Sequence, residues 1–220
     1  PASTSPVHLE MYEFVGALMG FAFRSGSILD IKLSQFFYRG LTGEPLDIAD
    51  LRAVDAYAVQ AIKDLDNAKK QLGKELFNQT MTQTWVTRLS NGEEYELIED
   101  GANKTVDYDS VTEYNKKTLE ARFKEGEKQM SAIRKGFEYL FPTSVMGILT
   151  PNEVEYRVCG PNTIDVDVLK KISSYSSCSE TDEYIVRFWK AIEGFTEHEK
   201  RLYLKFVWGR SRLPPEDHLK

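Results

Sequence analysis

The hydrophobic pattern of the chain changes period near its middle, and this change constrains the fold more than any other feature. Residues 84–89 and 93–98 alternate polar and apolar side chains, as half-buried strands do. Asn91-Gly92 lies between them, which is a strong signal for an antiparallel hairpin. A third short run, 104–108, follows. Because the flanking segments have helical spacing, we expect an α+β fold: a mainly helical chain with a small hairpin or meander.

The helical segments carry recognisable start and stop residues. In two of them a threonine, Thr150 or Thr196, is followed three residues later by a glutamate, which is typical of a capped first turn. The helix after Thr150 stops at Gly160-Pro161-Asn162, and a new apolar pattern begins at Ile164. Gly160, Pro161 and Asn162 are therefore the best candidates for a hinge between two lobes. Periodicity predicts further helices over four segments: 9–24, 33–41, 51–72 and 111–140.

The most apolar run, 11–23, is too short to cross a membrane. Glu13 and Arg24 interrupt or bound it, whereas a spanning helix needs about 20 apolar residues. Gly16 and Gly20 are spaced as in helices that approach each other closely. We expect a buried helix whose glycines admit a neighbouring backbone, and no membrane insertion.

Composition excludes broad electrostatic binding to nucleic acid. The 220 residues carry a net charge of −6, and a 41% hydrophobic content is that of a folded protein. A local basic cluster with interleaved Tyr203 and Trp208 offers the one nucleic-acid candidate. Its acidic neighbours favour a salt-bridged solvent face instead. The cluster comprises Lys200, Arg201, Lys205, Arg210 and Arg212.

The two cysteines are predicted to be structural. They are too few for a disulfide scaffold and lack metal-ligand spacing, which favours a reducing compartment. Cys159 ends a helix, where carbonyl groups disfavour a thiolate, and Cys178 lies beside Glu180 in a serine-rich loop. The histidines (His8, His198 and His218) share no metal or triad spacing. No metal site and no cofactor are expected.

Several separated segments, in order along the chain, resemble the HECT family of ubiquitin ligases. The longest is 195–214, a capped amphipathic helix followed by a glycine turn and a basic, proline-stopped stretch. Segments 14–23 and 207–214 are most similar to the large HERC-type subgroup. Other resembling segments are 12–22, 29–37, 50–55, 96–114 and 154–160.

The resemblance implies a bilobed architecture. It assigns 1–160 to a partial, mainly helical N-lobe, with a small subdomain at about 66–115 that binds a conjugating enzyme. It places the hinge at 160–163 and the first half of an α/β C-lobe at 164–220. The start of the N-lobe is expected before Pro1, and the catalytic cysteine of the C-lobe is expected beyond Lys220. No catalytic residue is therefore assigned within these 220 residues.

The family's chemistry is nucleophilic catalysis in two transfers. Ubiquitin moves from a conjugating enzyme to a ligase cysteine as a thioester, and then to a substrate lysine. The implied partners are a ubiquitin-conjugating enzyme, ubiquitin and protein substrates, and the implied location is the cytoplasm, with the nucleus as a second site. By position, the candidates for the docking surface are Ile62, Leu65, Phe77, Trp85 and Tyr114.

Alternatives remain open for both site and function. The docking candidates could be core residues, and for Ile62 and Leu65 this is at least equally supported. The parent protein could be a non-catalytic relative that binds a conjugating enzyme without forming a thioester. A third hypothesis is an unrelated protein-interaction domain whose C-terminal basic helix binds nucleic acid.

Overall fold

The elements of the chain alternate as the change of period predicts: helices, a small hairpin, then helices again. The computed structural model describes residues 3–215. The helices before the hairpin are α1 (Pro6–Ser25), α2 (Gln35–Thr42), α3 (Ile48–Val54) and α4 (Ala56–Thr80). The hairpin is β1 (Val86–Arg88) and β2 (Glu94–Glu96), followed by a 3₁₀ turn at Gly101–Asn103. The later helices are α5 (Val111–Lys124), α6 (Glu127–Glu138), α7 (Thr143–Met146), α8 (Pro151–Cys159), α9 (Val166–Ile172), α10 (Glu183–Glu193) and α11 (Glu197–Trp208).

Some of the sequence predictions fall on residues outside the described range. His218 and Lys220 belong to 216–220, the last five residues of the predicted C-lobe, and these lie outside it. Pro1, the first residue of the predicted N-lobe, lies outside it as well. The expectation of a catalytic cysteine beyond Lys220 therefore stays a prediction.

Helices α1 and α6 cross at backbone contact through glycines. A Cβ on Gly16 would lie 1.9 Å from the carbonyl oxygen of Ile133, and one on Gly136 would lie 1.8 Å from that of Glu13. This confirms the prediction that the glycines of the apolar run admit a neighbouring helix. The crossing organises a first core, which consists of Met19, Ala22, Tyr38, Leu41, Ile133, Phe137, Met146, Val154, Val158 and Cys159.

The hairpin forms where the Asn-Gly signal predicts it. Strands β1 and β2 pair antiparallel with Thr87 opposite Tyr95, and Gly92 in the connecting turn has a φ of +85°. The third predicted run, 104–108, contributes only a single bridge between Thr84 and Thr105. Beneath the hairpin lies a second core of Phe77, Trp85, Val106, Val111 and Tyr114.

Two predicted helices have the wrong bounds. The one over 51–72 is divided at Asp55, whose side chain caps α4 by accepting from the Ala58 N–H, and α4 then runs on to Thr80 with a local break at Gly73. The one over 111–140 is divided at Gly126, the N-cap of α6. In both places a residue that favours caps or turns outcompetes the continuing helical period.

The regular structure between Gly160 and residue 215 consists of helices, the last of which ends at Trp208. Helices α9–α11 enclose a third core, and the strands expected of an α/β lobe are not found in residues 161–215. The alternating stretch 164–169 becomes α9 because the Asp165 side chain caps it, accepting from the Asp167 N–H. The capping boxes at Thr150 and Thr196 are confirmed as the starts of α8 and α11. The third core consists of Ile164, Val166, Leu169, Trp189, Ile192, Leu204 and Leu213.

The glycine crossing makes a stability prediction. Gly136→Ala should lower the free energy of unfolding by about 1–3 kcal/mol, because its methyl group collides with backbone that cannot rotate away. The gain in helix propensity, about 1 kcal/mol, offsets only part of this loss. Urea denaturation followed by circular dichroism measures the effect.

Gly147→Ala is the matched control. No atom lies within 4 Å of its Cβ position, and its φ of −65° suits any residue. The urea concentration at which this variant is half unfolded should stay close to that of the parent chain. Equal losses in the two variants would contradict the packing explanation.

Candidate functional site

A groove of about 1150 Å³ lies between α4, α5 and the hairpin. Its apolar lining includes Ile62 and Leu65 of α4 and Val86 of β1, and its α5 side includes Tyr114 and Arg122. Helix α4 contributes to it because its cap at Asp55 turns the chain away from α3. The groove is therefore a concave surface that three of the five predicted docking residues share.

The five predicted docking residues divide into two sets. Ile62, Leu65 and Tyr114 line the groove. Phe77 and Trp85 do not line it and belong to the second core, where the Trp85 ring meets the Tyr114 ring edge to face at 5.8 Å. Tyr114 belongs to the same core, and Ile62 and Tyr114 are themselves only 5% and 7% exposed. Phe77 and Trp85 therefore pack in the core that holds Tyr114. A docking role for the groove stays a prediction.

Tyr114 is held in one position at the groove. Its hydroxyl donates to the Val86 carbonyl oxygen at 3.0 Å, which ties α5 to β1. Burial raises the pKa of the Tyr114 phenol above its usual value. The side chain therefore presents a neutral ring edge and no titratable charge at neutral pH.

Arg122 joins the end of the groove to three elements. It is buried, with Nη2 2.7 Å from the Asp55 carboxylate and Nε 3.4 Å from that of Glu125. It also donates to the Arg88 carbonyl oxygen at 3.2 Å, which fixes the end of β1. Sequence reasoning missed this residue, since Asp55 and Arg122 are 67 positions apart and neither stands in a motif.

The Asp55 carboxylate is stabilised as the anion. Burial alone would raise its pKa, but hydrogen bonds from the Ala58 N–H and from Arg122 outweigh burial and hold the pKa below its usual value. The ion pair and the helix cap therefore share one charged group. Buried charges of this kind are tolerated when each has a partner of good geometry.

The predicted hinge residues lie where two parts of the chain touch. Gly160 follows α8 with a φ of +80°, and a Cβ there would lie 2.0 Å from the Leu213 carbonyl oxygen. The Asn162 carbonyl accepts from Arg201 Nη2 at 2.6 Å. Pro161 stands between them. The connection is thus in contact with the chain that returns after α11.

Cys159 is a poor nucleophile in this fold. It is fully buried in the first core, with its sulfur 3.1 Å from the Tyr38 hydroxyl oxygen. Burial raises the pKa of the thiol, which disfavours the reactive thiolate. Cys178 lies partly exposed in the loop between α9 and α10. The burial of Cys159 supports its predicted structural role.

The basic cluster is dispersed by its contacts. Lys200 pairs with Glu197 at 3.1 Å, Arg201 reaches the Asn162 carbonyl, and Arg212 is buried against Glu155. These three cations each have a partner, and Arg210 lies over the Trp208 ring, 5.7 Å from its centre. In the part of the chain that the structure describes, no helix is long and apolar enough for a membrane span. The same residues hold no grouping of three or more histidine, cysteine or acidic side chains suited to a metal ion.

Comparison with known proteins defines the class of this fold. The HECT-domain (ubiquitin-transferase) family model matches residues 1–219. The chain belongs to the HECT-domain family.

Three relatives are similar over nearly all of the chain. E3 ubiquitin-protein ligase HERC2 of Homo sapiens is 32% identical over 215 residues, which cover 97% of this chain and 4% of the relative. E3 ubiquitin-protein ligase HACE1 of Danio rerio is 30% identical over 97% of this chain and 24% of its own length. A putative E3 ubiquitin-protein ligase of Plasmodium falciparum, PFF1365c, is 30% identical over 94% of this chain and 2% of its own length. The chain thus spans a small part of each of these relatives.

The buried ion pair at the groove makes a second prediction. Arg122→Met should lower the free energy of unfolding by about 3–5 kcal/mol, because it leaves the Asp55 charge without its partner. Chemical denaturation measures this loss. Arg88→Met is the control, since the Arg88–Glu94 pair is exposed and its atoms are 4.0 Å apart, so that a change of at most about 1 kcal/mol is expected. A loss in Arg122→Met no larger than in the control would contradict the role given to Arg122.

Proposed function

We propose that this chain is the part of a HECT-type ubiquitin-protein ligase that docks a ubiquitin-conjugating enzyme. The groove between α4, α5 and the hairpin is the proposed docking surface. The observation that carries the proposal is that three of the five residues selected by resemblance, Ile62, Leu65 and Tyr114, line one groove in a chain of this family. These three relatives are all named E3 ubiquitin-protein ligases, which supports the activity.

The shape and chemistry of the groove suit a protein partner of moderate affinity. Its α4 side offers apolar side chains such as Leu65, which is half-buried, and the exposed small residue Ala61. Its floor is held by the bonds of Tyr114 and Arg122 to β1, so that little ordering is required on binding. An apolar loop or helix end of the conjugating enzyme would fill it, with aromatic and aliphatic contacts as anchors.

In the proposed reaction the parent protein accepts ubiquitin on a cysteine and passes it to a substrate lysine. The cysteine thiolate attacks the carbonyl carbon of the conjugating enzyme's thioester, a new thioester forms, and the conjugating enzyme leaves as a thiolate. The residues of this chain hold the donor in place. Neither Cys159, which is buried, nor Cys178 is proposed as the acceptor, and the acceptor cysteine is proposed to follow Lys220 in the parent protein. The proposed location of the parent protein is the cytoplasm, with the nucleus as a second site.

Binding through the groove is tested with Leu65→Ala. Truncation should weaken binding of a ubiquitin-conjugating enzyme by about 10-fold or more, since a hot-spot side chain carries at least 1–2 kcal/mol. Ala61→Arg, an exposed substitution that leaves the core intact, should block the same surface. Isothermal titration calorimetry against a panel of conjugating enzymes measures both effects.

Leu76→Ala is the matched control for this experiment. Leu76 lies on the same helix beyond the break at Gly73, is 46% exposed and does not line the groove. The affinity of this variant for the conjugating enzyme should equal that of the parent chain. Equal weakening in Leu65→Ala and Leu76→Ala, or no binding to any conjugating enzyme, would overturn the docking proposal.

The same assignment predicts that this chain forms no ubiquitin thioester. After incubation with a ubiquitin-charged conjugating enzyme, the 220-residue chain should show no reductant-sensitive ubiquitin adduct, because Cys159 is buried with a raised pKa. Non-reducing electrophoresis detects such an adduct. A band that persists in Cys159→Ser and disappears in Cys178→Ser would instead identify Cys178 as an acceptor.

A further inference from the structure

The segment that follows α11 returns to the helices at the start of the chain. Residues 211–213, here named the clasp, contact the end of α8 and the chain between α1 and α2. The three positions make different kinds of contact. Each of these contacts joins residues more than 50 positions apart.

Arg212 supplies a buried charge to the clasp. Its Nη1 lies 3.4 Å from Glu155 Oε1 of α8 and 3.4 Å from the Gly160 carbonyl oxygen. The side chains of Arg212 and Glu155 are 7% and 9% exposed. The other oxygen of Glu155 accepts from Gln35 Nε2 at 2.6 Å. If either side chain moved away, the other would be left as an unpaired charge in a site that excludes most water.

Ser211 and Leu213 extend the contact on both sides of Arg212. The Ser211 backbone N–H donates to Asp30 Oδ2 at 3.2 Å, and its hydroxyl donates to the other oxygen of Asp30. Leu213 is 2% exposed and belongs to the third core. Its carbonyl oxygen lies so close to Gly160 that a side chain on Gly160 would not fit.

From these contacts we propose that the clasp is a conformational lock on the connection at Gly160. It holds α9–α11 against the first core, so that the predicted hinge of Gly160, Pro161 and Asn162 moves only when Arg212 leaves Glu155. Leu213 links the two sides directly, because its side chain lies in the third core while its backbone contacts Gly160. This inference stands on the contacts alone and does not depend on the proposed activity.

The lock is tested by hydrogen–deuterium exchange on the 220-residue chain with Arg212→Met. This substitution keeps an unbranched, flexible side chain but shortens it and removes the charged guanidinium. The amides of Gly160 and Ile164 donate to the Tyr156 carbonyl and the Glu197 carboxylate. They should exchange about 100-fold faster or more, because the substitution allows a local opening at a buried ion pair. Amides at the α1–α6 crossing should keep their protection.

Arg187→Met is the matched control, because Arg187 forms an exposed ion pair with Glu183 within α10. It should leave the exchange of residues 160–164 unchanged. The lock is overturned if Arg212→Met leaves these amides protected, or if the control accelerates them equally. Uniformly faster exchange that includes α1 and α6 would also overturn it, since the ion pair would then support the whole fold.

Ser211→Ala tests the lock independently if Arg212→Met does not fold. It removes one hydrogen bond to Asp30 from a partly exposed position. Faster exchange confined to residues 160–164 and 211–213 supports the lock. Unchanged exchange in this variant overturns it.

Discussion

The backbone contact between α1 and α6 is the constraint on which the rest of the structure depends. Gly16 and Gly136 bring the two helices within atomic contact, so that neither position tolerates a side chain. This closeness sets where Met19 and Phe137 meet, and the first core forms around them. Helices α2 and α8 then pack against a surface that the crossing has already shaped. The groove and the clasp are built outward from this frame.

The sequence predicted best what depends on neighbouring residues. The Asn-Gly hairpin and the capping boxes at Thr150 and Thr196 are local chemistry, and each forms as expected. The division at Asp55 was missed because one capping residue can outweigh a long apolar period. In the C-lobe region implied by the resemblance, residues 161–215 contain helices, and the cap at Asp165 starts the first of them.

The candidate site depends more on contacts between distant residues. Ile62, Leu65 and Tyr114, which the resemblance selected, line one groove. Residue type alone did not separate them from Phe77 and Trp85, which lie in the second core and do not line the groove. Arg122 gave no sequence signal, because an arginine in a helix is ordinarily exposed. Its burial follows from Asp55, 67 positions earlier, and only the fold brings the two together.

The clasp also bears on the order in which the chain acquires its structure during synthesis. Asp30 and Ser211 are separated by 181 positions, so their contact cannot form until nearly all of this chain has left the ribosome. The α1–α6 crossing and the hairpin core can assemble earlier from residues already released. Until Leu213 arrives, the third core is incomplete and the end of α8 remains uncovered. The nascent chain therefore passes through a period in which the connection at Gly160 lacks the contacts that hold it in the complete structure.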